Sequence, residues 1–128
     1  MAAIESSAPR IVDSLLGAVR QLETVRDPRA VRAAIRDCAL AIEFRLDTLA
    51  RELQPGPGGL DPSLLPAGRA VDAALRDVLL EAWALLRAGD PALSDRDRID
   101  AFARSVARVA RQEAEFAFAQ MSLPEALD

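Results

Sequence analysis

Residues 103–120 read "ARSVARVARQEAEFAFAQ", and the way this run must pack decides the fold. At about 100° per residue, Phe102, Val106, Val109, Glu113, Phe116 and Gln120 fall on one stripe of a helix. Ala103, Ala107, Ala110, Ala114 and Ala117 form a second stripe beside it, with Phe118 at the outer edge. Arg104, Arg108, Arg111 and Glu115 keep the remaining side. The apolar arc is roughly 200° wide, against the ~100° or more of an ordinary surface helix. Such a helix needs two neighbours, and small alanines let one of them come close.

Working outward, the punctuation marks three more helices. Ser6 or Ser7 suits an opening cap, with Pro9 in the first turn. "DPR" at 27–29 ends one helix and starts the next, because Asp27 is a good N-cap and Pro28 loses nothing at the first helical position. "QPGPGGLDPSLLP" at 54–66 is the one long loop, with a short turn around Pro62–Leu65. Gly89 ends the third helix, and Ser94 with Asp97 resembles a capping box. The expected helices span about 8–26, 28–53, 67–88 and 95–120, followed by a tail over 121–128. No strand signal and no repeat interrupts them. One all-α domain over 1–128 is expected, a four-helix antiparallel up-and-down bundle. The long loop leaves a crossover or a domain swap open.

Every helix carries more apolar surface than one core needs. In the second, Val31, Ile35, Cys38, Ile42, Leu46, Leu49 and Leu53 form the core stripe, while Leu40 and Phe44 point away from it. In the third, Val71, Leu75, Val78, Ala82 and Leu85 face inward, and Leu80 and Trp83 lie off that stripe. The first has a broad face from Ile11 to Val25. A lone bundle leaves several of these side chains in water, and a contiguous apolar patch marks an interface. Leu40, Phe44, Leu80, Trp83, Ala110, Ala114 and Phe118 are therefore the expected partner surface, with Trp83 as its anchor. The tail residues Leu123 and Leu127 are the alternative cover.

Glu113 sits among apolar neighbours, and Arg45 lies at the edge of the core stripe of the second helix. Each is about five turns into its helix. In an up-and-down bundle the second and fourth helices run parallel, so the two meet at one height. They are expected to form a structural polar layer that sets register and adds little net stability.

The composition excludes several chemistries. All 16 cations are arginine, and lysine, histidine, tyrosine and asparagine are absent. No imidazole base, Schiff-base lysine or P-loop lysine is possible, nor are the usual histidine-bearing zinc and di-iron sites. The net charge of −4 disfavours nonspecific nucleic-acid binding. No apolar run approaches the ~18 residues of a membrane span, and the N-terminus lacks the pattern of a secretory signal. With one cysteine and no internal disulfide, a cytoplasmic location is expected. The richness in Ala, Arg, Leu, Gly and Pro points to a GC-rich, bacterial source.

The remaining candidates read as structure. Arg29, Arg32 and Arg36 share a face, as do Arg104, Arg108 and Arg111. Either row could hold phosphate, but both fit solvated faces, with Asp100 four residues before Arg104 and Arg111 four before Glu115. Cys38 is expected as a buried, inert thiol, and "PGPGG" as a linker. No cofactor, metal or catalytic residue is expected, and no enzyme. The expectation is a helical interaction protein, acting as an oligomeric adaptor, chaperone or assembly factor. Its partner is a second copy, in a dimer first, or another protein. The alternative is a bundle that binds an apolar small molecule between helices, with Arg45 or Glu113 fixing the polar end.

Overall fold

The computed structural model describes residues 7–122. Ser6, Leu123 and Leu127 lie outside the described residues, so the expected cap at Ser6 and the expected cover by the tail do too. The described chain is all-helical: α1 (Ser7–Thr24), α2 (Pro28–Glu52), α3 (Leu65–Ala88), a single turn α4 (Asp90–Leu93) and α5 (Arg96–Met121). No strand occurs among these residues. Among the described residues no helix is long and apolar enough to cross a membrane.

Local chemistry fixes the boundaries. Asp27 caps α2 by accepting from the Ala30 amide at 3.3 Å, with Pro28 at the first position. Asp61 accepts from the Ser63 amide at 2.9 Å and opens a 3-10 turn over Pro62–Leu64. That turn feeds directly into α3, which therefore begins at Leu65, two residues before the expected Ala67. Pro66 falls in its first turn, where a missing amide costs nothing.

The start of α5 differs from expectation. Ser94 is not its cap, because the chain stays helical through α4 and Ser94 closes that turn. Asp95, with extended backbone (φ −84°, ψ 102°), is the cap and accepts from the Arg98 amide at 3.4 Å. Gly89 permits the break before α4 by adopting φ +80°, a conformation open to glycine and strained for side-chain-bearing residues. α4 then seats Ala92 and Leu93 in the core at 2% and 1% exposure.

α1 and α3 each pack against both α2 and α5. Leu15, Leu22, Ile35, Ile42, Leu49, Leu75, Ile99, Phe102 and Val106 form the dry centre. Gly68 lets the loop and α5 close over the start of α3, since a Cβ there would meet Leu53 and Leu60 at 2.9 Å and Phe116 at 3.5 Å. Where α1 ends, Arg96 of α5 donates to the carbonyls of Leu22 and Val25 and pairs with Asp100 at 2.8 Å. Arg26 also donates to the carbonyls of Glu23 and Val25, at 3.1 and 3.3 Å, so the end of α1 is capped jointly by its own segment and by α5. Asp100 thus serves Arg96 rather than the expected Arg104.

Candidate functional site

Two features depart from the rule of apolar inside and polar outside. One is internal. Arg45 of α2 and Glu113 of α5 are 1% and 0% exposed. The guanidinium grips the carboxylate side-on: Nε donates to Oε2 at 2.6 Å and an Nη nitrogen donates to Oε1 at 3.1 Å. This bidentate form gives direction as well as strength. α2 and α5 share the same two principal neighbours, α1 and α3, so the pair links two helices through the middle of the core.

Glu52 joins this pair. Its Oε1 lies 3.6 Å from an Arg45 nitrogen, too far for a hydrogen bond, and is buried without a hydrogen-bond partner. One cation therefore faces two carboxylates. Burial pushes the Glu113 carboxyl above the usual carboxylate range against the opposing pull of Arg45, and the charge of Glu52 adds to the rise. Glu52 escaped the sequence reading, although it follows Arg45 by two helical turns and so shares its side of α2.

The second feature is external. Leu40 and Phe44 of α2 are 51% and 68% exposed, Leu80 of α3 is 67% and Phe118 of α5 is 70%. Leu16 and Met121 are exposed as well, and so is Ala114. Two expected surface residues lie elsewhere. Ala110 is 1% exposed, because the alanine side of α5 packs inside the chain: Ala103 and Ala107 line its seam with Val19 and Glu23 of α1. Trp83 is half-buried and packs against the core, so its ring belongs first to the fold.

Other candidates hold structural roles. Cys38 is buried at 2% exposure, and desolvation pushes its thiol up to about 12, far from the thiolate that chemistry needs. Arg32 of the first arginine row reaches Asp90 at 3.4 Å. Open clefts of about 290 Å³ along α1–α2 and about 140 Å³ along α3–α5 are lined by residues other than Arg45 and Glu113. Among the described residues no three acidic or cysteine side chains converge on a metal position. No family model, curated protein or solved structure matches the chain.

Proposed function

We propose that this chain is a non-enzymatic helical interaction protein, an oligomeric adaptor, chaperone or assembly factor. In this reading α1, α2, α3 and α5 form a four-helix antiparallel up-and-down bundle, with α4 as a plug between the last two. The observation that carries the proposal is the outward placement of Leu40, Phe44, Leu80 and Phe118, each more than half exposed on a chain whose core is otherwise closed. Burying one such side chain on a partner contributes about 1.5–3 kcal/mol, which is a reason to hold them at the surface only if something covers them.

The internal pair supports the same division of labour. Arg45 satisfies both Glu113 oxygens, so neither group is presented to a ligand, and the pair acts as a register pin between α2 and α5. This favours the interaction reading over a small molecule held at that position.

Sedimentation velocity of the full chain, from nanomolar to high micromolar concentration, tests the proposal. Reversible growth beyond the 13.8 kDa single chain is expected. A strictly monomeric chain whose exposed leucines and phenylalanines tolerate serine substitution without loss of any interaction contradicts it.

A further inference from the structure

The outward face of α2 is electrically lopsided. Arg29 and Arg36 occupy its N-terminal half, with Arg32 at the edge where it meets Asp90, and Asp37 is the minority charge. Glu43 and Asp47 occupy its C-terminal half, where Arg51 is the minority charge, while Arg45 is buried and Glu52 turns inward to it. Leu40 and Phe44 lie between the halves. Within one helix this arrangement is unfavourable: Arg32 and Arg36 are a like-charge pair at i,i+4, and so are Glu43 and Asp47. The exposed residues of α3 around Leu80 show no such segregation, since Arg76, Asp77, Glu81 and Arg87 interleave their signs.

A face that is positive at one end, negative at the other and apolar in the middle is complementary to itself turned end for end. Ala33, Asp37, Leu40, Phe44, Asp47 and Arg51 also follow steps of four and three residues, the spacing of a helix–helix seam. Resting on the interaction reading above, we infer that the partner is a second copy of this chain, its α2 docked antiparallel on this α2 about a two-fold axis between Leu40 and Phe44. Leu40 of each copy then packs on Phe44 of the other. Arg36 and Asp47 lie six and five residues from the axis, an offset of about 1.5 Å, and within about 20° of one another around the helix, whereas Asp37, level with Asp47, is turned about 80° to the other flank. Each copy's Arg36 therefore meets the other's Asp47, and symmetry makes the contact twice. A parallel pairing would instead set arginines on arginines.

The test is charge reversal in the full chain, read by sedimentation equilibrium, with circular dichroism to verify folding. R36E and D47R alter exposed residues and leave the helix content unchanged. Each alone weakens self-association by about tenfold or more, since two attractive contacts become repulsive. Mixed in equal amounts, the two variants form heterodimers of near wild-type affinity, because every repulsion is then relieved. F44S weakens association by a similar factor, and L80S does not. A chain that self-associates, yet is indifferent to R36E, D47R and F44S, overturns the α2 pairing and leaves the interaction reading standing. So does failure of the mixture to recover. A wild-type chain that never self-associates overturns this inference alone if it still binds another protein through these faces, and both readings if it does not.

Discussion

Phe44 and Arg45 are adjacent in the chain and break the same rule in opposite directions. The phenyl ring is 68% exposed, whereas the guanidinium beside it is 1% exposed. α5 repeats the inversion, with Glu113 at 0% and Phe118 at 70%. The inner exception is engaged within the chain; the outer one stays more than half exposed among the described residues. A charge pair in a core adds direction rather than net stability, since a well-packed apolar substitute often does as well. An apolar ring at a surface adds nothing until it is covered. The comparison separates what holds the chain together from what it holds on to.

The sharpest way to break this comparison is to remove one member of the inner pair. Glu113→Ala leaves the buried Arg45 without its bidentate partner, and a loss of about 3–5 kcal/mol is expected in urea unfolding. Arg45→Met with Glu113→Leu removes both charges of the pair and should recover most of that loss, with the part-exposed Glu52 turning to solvent. If the single and double variants lose equally, packing rather than charge is what the pair supplies.

A smaller effect is expected at the end of α1. Arg96→Ala strands the carbonyl of Leu22, while Arg26 still donates to that of Val25, and should cost about 1–3 kcal/mol. Amide exchange should rise over the last turn of α1 and the first of α5.

The pH response follows in size. Glu113 has a folded pKa raised above its unfolded value of about 4.5, so between the two the native chain holds a proton that the unfolded chain releases. The contribution of Glu113 is therefore favourable in acid and is lost as pH rises from about 4.5 through its folded pKa. Unfolding free energies across that window should fall more steeply with pH in the wild type than in Glu113→Gln. Equal slopes would mean that the guanidinium dominates burial.

The smallest effect is expected outside. Phe44→Ser should change the stability of the dilute, dissociated chain by about 0.5 kcal/mol or less, as for other surface substitutions. A large loss there would make Phe44 part of the fold and collapse the distinction.

Much of this was legible from residue spacing. The helical period places Arg45 and Glu113 on inward edges and counts each to the same depth, and it turns Leu40, Phe44, Leu80 and Phe118 away from the core. What escaped depends on packing or on short range. Four residues of α4 are too few to show a period, so Leu93 gave no sign of its burial. Arg96 caps α1 only because two chain ends distant in sequence meet. Ala110 and Trp83 lie at helix seams, where a few degrees of rotation decide between surface and interior, and sequence periodicity does not resolve that angle.

Hydroxyl-radical footprinting of the full chain at low and high concentration tests the central claim most directly, because it reads solvent contact side chain by side chain. Phe44 and Leu40 should be modified readily in dilute solution and become protected as concentration rises, while Phe102 stays protected throughout. Equal modification of Phe44 at every concentration, with no protein ligand able to shield it, would contradict the account.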